Sequence, residues 1–126
     1  MTPTQFLETI EKTMAMKPAD FVEELLKGDE PFTIIDLRSA DKVELSHIPT
    51  SLQCDLTELP AKAGELIPTK ETTVIMVCNG SIQSAMAVMY LRCEGYANSY
   101  NMGGGFSSWE KNGRIIDGRI NDSCTA

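Results

Sequence analysis

TTVIMVCNGSIQSAMAVMYL, residues 72–91, is the stretch of sequence that decides the fold. Residues 72–77 are β-branched or apolar almost without interruption, which is typical of a strand buried on both faces of a parallel sheet. Residues 84–91 contain no Gly or Pro and are rich in helix formers, so they predict a buried helix. A short polar loop joins the two, and Cys78 stands where the strand ends.

This strand–loop–helix junction can stabilise a negative charge on Cys78. Backbone N–H groups of the loop can surround the sulfur, and the positive end of the following helix adds to their effect. A thiol in such a position loses its proton more easily, and the thiolate is the reactive nucleophile. We interpret Cys78 as the catalytic residue; a structural thiol in a former active site is the alternative. The candidate substrate-binding amides are those of Asn79, Gly80, Ser81, Ile82, Gln83 and Ser84.

Four sequence blocks resemble the rhodanese-like sulfurtransferases. Residues 78–84 resemble the family's active-site loop, C-x-x-G-x-R-S, although Ser81 stands at the glycine position and Gln83 at the arginine position. The other blocks, in family order, are IIDLR at 34–38 for a D-x-R strand end, SHIPTS at 46–51 for G-H-I-P-G-A, and NMGGGFSSW at 101–109 for L-x-G-G-x-x-x-W. This resemblance implies an α/β fold of three layers, with a central, mostly parallel five-stranded sheet flanked by helices.

The resemblance also implies an activity. A sulfurtransferase of this kind would move a sulfane sulfur from thiosulfate or a related anionic donor to a thiol or cyanide, through a persulfide on Cys78 and without a cofactor. A catalytically weak or silent rhodanese module that binds a protein partner is the alternative, and the missing arginine favours it. A phosphatase of the related type is disfavoured, because its clamping arginine would occupy the position of Ser84.

Several other residues invite a catalytic interpretation. Asp36 and Arg38 follow a predicted strand at the edge where parallel sheets bind ligands, so they are candidate supporting residues, but a mutual ion pair is the preferred interpretation. His47, the single histidine, is interpreted as a hydrogen-bonded loop residue. Trp109 is expected to pack in the core, and the glycines at 104–105 are expected to allow a close backbone approach.

The four cysteines form no C-x-x-C or C-x-x-H pattern, so we expect reduced thiols and no metal site. Cys54 and Cys93 are expected to be small buried hydrophobic residues, because free cysteine is among the most buried residue types. Cys124 lies in a polar terminal segment and is expected to be exposed. The seven methionines are expected to fill the core.

Composition excludes several classes of partner. The net charge of −7 and the scattered basic residues argue against binding of nucleic acid or of an anionic membrane surface. We find no apolar run long enough for a signal core or a membrane span, so a cytoplasmic location is expected. The expected partners are a small anionic sulfur donor and a thiol acceptor, and a protein partner is compatible with the sequence.

The chain divides into three predicted parts. Residues 1–16 are an N-terminal helical extension, 17–117 the rhodanese-like domain, and 118–126 a polar C-terminal tail. Within the domain, alternating strand and helix patterns predict a βα architecture. Residues 59–66 form a helical candidate that Pro60 and Gly64 are expected to make irregular. The other predicted elements are helices near 3–13, 18–27, 41–45 and 105–111, and strands at 32–36, 52–54 and 97–101.

Overall fold

The computed structural model describes residues 1–118, and a five-stranded parallel sheet lies at its centre. The strands are β1 (Met16–Lys17), β2 (Phe32–Asp36), β3 (Leu52–Gln53), β4 (Thr73–Val77) and β5 (Ser99–Met102), in the spatial order β1-β5-β4-β2-β3. The helices are α1 (Pro3–Thr13), α2 (Ala19–Lys27), α3 (Ala40–Leu45), α4 (Leu59–Leu66), α5 (Ile82–Cys93) and α6 (Gly105–Lys111), with one 3₁₀ turn at Leu56–Glu58. The predicted α/β class and five-stranded sheet are confirmed.

The central strand β4 separates two cores, one on each face of the sheet. Val74 and Met76 belong to a cluster with residues of α4 and α5, whereas Ile75 and Val77 belong to a cluster with residues of α2 and α6. Successive side chains of a strand point to opposite faces, so an uninterrupted apolar strand needs helices on both sides. This arrangement produces the three layers.

Two helices differ from their predicted character. The helix expected to be buried, α5, presents only one side to the sheet: Ala87 and Leu91 are fully buried, while Met86 and Met89 are 51% and 64% exposed. Those two methionines therefore do not fill the core. The segment expected to be irregular forms the regular helix α4, because Pro60 lies in the first turn, where no backbone N–H is needed.

The cysteine predictions have three outcomes. Cys54 is fully buried, as predicted. Cys93 is exposed, so the prediction that it is buried is wrong; it ends α5 on the side of the helix away from the sheet. Cys124, and most of the predicted tail, lie outside the described residues.

The segment after α6 is fixed against the domain. The indole N–H of the fully buried Trp109 donates to the backbone carbonyl of Ile115 at 2.8 Å. Arg114 forms ion pairs with Asp20, at 3.0 Å, and with Glu23, both on α2. Within residues 1–118 no helix combines the length and the apolar character that a membrane crossing requires.

Candidate active site

A pocket of about 600 Å³ opens at the carboxyl ends of β2 and β4. Ligands of parallel α/β sheets bind at this edge, because the loops that follow the strands can surround them there. Cys78 and most of its predicted loop line the pocket, as does Arg38. The lining residues are Leu37, Arg38, Ser39, Lys42, Asp55, Leu56, Thr57, Cys78, Asn79, Gly80, Ser81, Ile82 and Gln83.

The Cys78 side chain is 6% exposed and is held at both its backbone and its sulfur. Its carbonyl oxygen accepts a hydrogen bond from the Phe106 N–H at 2.8 Å. Its sulfur lies 3.4 Å from the backbone nitrogen of Ser84 and 3.2 Å from the Ser84 hydroxyl oxygen. Ser84 is in the first turn of α5, where backbone N–H groups have no partner within the helix and are free to stabilise a sulfur anion.

The loop amides do not all have the same relation to the sulfur. The Ser84 N–H is within hydrogen-bonding distance of it, whereas Ile82 and Gln83 are exposed at the pocket. That all six amides bind a substrate anion stays a prediction.

Ser84 is hydrogen-bonded in turn to Asn101, a residue that the sequence analysis did not find. The Ser84 hydroxyl donates to Asn101 Oδ1 at 2.6 Å, and Asn101 Nδ2 donates to the Ser81 carbonyl at 3.0 Å. Ser84 and Asn101 are both fully buried. The only signal in the sequence is that an asparagine ends the predicted strand 97–101, since an amide buried there must find partners.

Gly105 brings the start of α6 against the Cys78 loop. Its φ is +62°, and a Cβ atom there would lie 2.0 Å from the Gly80 oxygen, 2.5 Å from the Asn79 oxygen and 2.6 Å from the Cys78 oxygen. The predicted close backbone approach is confirmed, and it occurs at the candidate catalytic loop.

Asp36 and Arg38 form the expected ion pair. Their closest atoms are 2.8 Å apart, and the guanidinium also donates to the Ser46 carbonyl at 2.8 Å. The guanidinium carbon lies 3.7 Å from the centre of the Phe106 ring. Because these contacts occupy the charge of Arg38, the exposed Lys42, which the sequence analysis overlooked, is the better placed cation of this pocket.

Cys54, the second cysteine of the core that contains Cys78, does not line the pocket. Burial raises the pKa of the Cys54 thiol, with smaller and opposing effects from nearby Lys62 and Glu58. A raised pKa keeps this thiol protonated to higher pH, and because Cys54 is fully buried, reagents in solution cannot reach it. His47 takes no part in the pocket; its Nδ1 lies 2.7 Å from the Val43 carbonyl, which agrees with a hydrogen-bonded loop residue.

The described residues contain no group of three or more His, Cys, Asp or Glu side chains arranged to hold a metal ion.

The fold and the pocket together define a rhodanese-like domain. The family model described as "Rhodanese-like domain" matches residues 18–112, which is most of the chain, and the protein belongs to that family. The thiosulfate sulfurtransferase GlpE of Pseudoalteromonas translucida is 31% identical over 100 residues, covering 77% of this chain and 91% of that protein. Sulfurtransferases are thus among its relatives.

Two further comparisons define the extent of the similarity. The adenylyltransferase and sulfurtransferase uba4 of Ogataea parapolymorpha is 29% identical over 90 residues, but this match spans 71% of the present chain and only 23% of that longer protein. The solution structure of the rhodanese-like domain of Anabaena sp. Alr3790 superimposes with a TM-score of 0.75 at 24% identity, covering 85% of this chain and 81% of that one. This likeness establishes the fold.

Proposed function

We propose that the protein is a sulfurtransferase that carries a sulfane sulfur as a persulfide on Cys78. The donor would be thiosulfate or a related small anion, and the acceptor a thiol or cyanide. The observation that supports this most directly is the position of Cys78: its sulfur lies beside the Ser84 N–H at the start of a helix, and the residue lines an open pocket. Membership of a family that includes sulfurtransferases supports it independently.

The first step would load sulfur onto Cys78. Its thiolate attacks the outer sulfur of thiosulfate, a sulfur–sulfur bond forms, and the bond to the inner sulfur breaks with its electron pair leaving on sulfite. The product is a persulfide whose outer sulfur carries the negative charge. Backbone amides that stabilise the thiolate can also stabilise this anion without any proton transfer.

The second step would regenerate the enzyme. An acceptor thiolate, or cyanide, attacks the outer sulfur of the persulfide, and the electron pair of the broken bond returns to the Cys78 sulfur. The pocket volume of about 600 Å³ leaves room for an acceptor as well as a small donor anion. Both nucleophiles react as anions, and the leaving groups, sulfite in the first step and the Cys78 thiolate in the second, need no proton from a general acid.

Cyanolysis tests the proposed function. Protein that has been incubated with thiosulfate and separated from it should release one equivalent of thiocyanate per chain on addition of cyanide, because cyanide removes sulfur only from a persulfide. Colorimetric detection of thiocyanate with iron is the measurement, and protein not treated with thiosulfate is the control. No thiocyanate above that control, over a range of pH, would contradict the proposal.

A silent module that binds a protein partner is the second candidate, and one observation favours it. Three large apolar side chains of α5, Ile82, Met86 and Met89, are 70%, 51% and 64% exposed, and their spacing places them along one side of the helix. Ile82 also lines the pocket, so this row begins at the candidate active site. A partner protein that packed on this row would therefore contact the edge of the pocket without any sulfur transfer.

Gln83→Arg is expected to lower the KM for thiosulfate about five-fold and to change the rate of the transfer step much less. Gln83 is exposed and lines the pocket, at the position where the resembling loops carry arginine. An added exposed charge contributes up to about 1 kcal/mol, and it should attract the bound donor and the transition state almost equally. Steady-state kinetics with thiosulfate and cyanide measure this effect.

The control for this variant is Gln5→Arg, which adds the same charge on α1, where it lines a different pocket. The gain at Gln83 should shrink as salt rises, because exposed charges are screened over about 8 Å at physiological ionic strength. An equal gain in Gln5→Arg would show that only the net charge matters. A gain that does not depend on salt would indicate a reshaped loop instead.

A further inference from the structure

The hydrogen bonds behind Cys78 have a direction that the structure fixes. Asn101 Nδ2 faces the Ser81 carbonyl, which can only accept, so the amide oxygen must face Ser84. That oxygen can only accept as well, so the single proton of the Ser84 hydroxyl is donated to Asn101 at 2.6 Å. The Ser84 oxygen is then left with lone pairs toward the Cys78 sulfur at 3.2 Å.

With the Ser84 hydroxyl donating to Asn101, the hydrogen bonding favours the protonated thiol of Cys78 and disfavours its thiolate. The S–H group of the thiol can donate to the Ser84 oxygen. When the proton leaves to solvent, the thiolate faces a lone pair unless the Ser84 hydroxyl turns toward it. That turn deprives Asn101 Oδ1 of its donor, and a buried acceptor without a donor is costly.

We propose that Asn101 is a positioning residue that competes with the Cys78 sulfur for the Ser84 proton and so sets how readily Cys78 ionises. Asn101 does not touch the sulfur; it acts through Ser84. The amide itself is held by the Ser81 carbonyl and by the backbone of β5, whose Asn101 N–H donates to the Ala15 carbonyl at 2.9 Å. Only the consequence for sulfur transfer rests on the proposed function, because ionisation of a thiol can be measured without a sulfur donor.

Charged groups near the pocket stay the same in the test. Lys42 and Asp55 line it together with Cys78, and Arg38 also lines it with its charge paired to Asp36. In the core cluster that contains Cys78 the titratable groups are the Cys54 thiol and the hydroxyls of Tyr96 and of the partly buried Tyr90. A change that alters only Asn101 or Ser84 therefore leaves the electrostatic surroundings in place.

The test is the pH dependence of Cys78 alkylation by iodoacetamide, followed by mass spectrometry of the Cys78 peptide so that other thiols do not contribute. Asn101→Leu keeps the branched shape and the number of side-chain heavy atoms but removes the acceptor, which frees the Ser84 hydroxyl to donate to the thiolate. The midpoint of alkylation should fall by about one to two pH units, the effect of one hydrogen bond to a charged group.

Repeating the Asn101→Leu exchange in a Ser84→Ala variant shows whether Asn101 acts through the Ser84 hydroxyl. Without the hydroxyl, Asn101→Leu should shift the midpoint no further; an equal fall in both backgrounds would show that Asn101 acts through packing or solvation, and would overturn the proposal. Ser84→Ala alone decides the matter if Asn101→Leu does not fold: its midpoint should not rise, because the native hydroxyl donates to Asn101 and not to the thiolate. A rise in Ser84→Ala, or no shift in a folded Asn101→Leu, would also overturn the proposal.

Discussion

Cys78→Ser is expected to abolish sulfur loading from thiosulfate. The intact mass of the native protein should increase by one sulfur atom after treatment, and cyanide should remove that increase. A serine hydroxyl at this position is not ionised at neutral pH and is a far weaker nucleophile toward sulfur, so the variant should gain no mass. Mass spectrometry of the intact chain is the measurement, and the thiocyanate yield should fall to background.

The matched control is Cys93→Ser, the same exchange at an exposed cysteine that ends α5. It should load one sulfur as the native protein does. Cys54 should stay unloaded in every variant, because it is fully buried and burial raises the pKa of its thiol. Sulfur remaining on Cys78→Ser, released by cyanide, would assign the persulfide to another thiol and contradict the role of Cys78.

Gly105→Ala is expected to destabilise the protein on the order of 3 kcal/mol or more and to reduce sulfur loading in the fraction that folds. An alanine at the φ of +62° costs about 1–2 kcal/mol, and its methyl group would overlap three carbonyl oxygens of the Cys78 loop. These oxygens belong to backbone, so relief requires the loop or α6 to move. Urea unfolding measures the stability, and intact mass measures the loading.

Gly64→Ala is the control for this exchange. Gly64 is an exposed position inside α4, and a Cβ atom there meets nothing within 4 Å. Alanine is a better helix former than glycine, so this variant should be more stable by about 0.5–1 kcal/mol and should load sulfur normally. An unchanged free energy of unfolding in Gly105→Ala would mean that the loop adjusts at little cost, contrary to the geometry.

Local patterns were sufficient to predict the central strands. The strand Phe32–Asp36 agrees with its predicted bounds, and the strand Thr73–Val77 agrees within one residue, because burial on both faces leaves a continuous apolar run. The edge strand Met16–Lys17 was not predicted. A strand of two residues is too short to show a periodicity in the sequence. It forms a strand only because β5, distant in the chain, pairs with it.

The errors have a common physical cause. Cys93 and Met89 are apolar or weakly polar residues on a helix whose other side packs on the sheet, and residue type alone does not tell which side that is. Pro60 was interpreted as a helix breaker, but a proline in the first turn removes no hydrogen bond. Each outcome depends on how an element is placed, and not on its own composition.

The candidate site also contains both residues that the sequence could predict and residues that it could not. Cys78 and its loop could be predicted because a strand, a thiol and a helix follow one another in the chain. Asn101 and Lys42 could not, since they reach the site only through the pairing of β5 with β4 and through the path of α3 after β2. Sequence separation hides such partners unless the fold is already known.

The strand order has a consequence for how the protein is made. Because β1 pairs with β5, the first strand to leave the ribosome has no neighbour until residues near 102 have been synthesised. Asn101 and Gly105 follow Cys78 in the chain and come from β5 and the start of α6, so their contacts with Ser84 and the Cys78 loop also have to wait for this last part of the sheet. The sheet can therefore be completed only when nearly the whole domain is available, and parallel sheets, whose paired strands are far apart in the chain, form slowly.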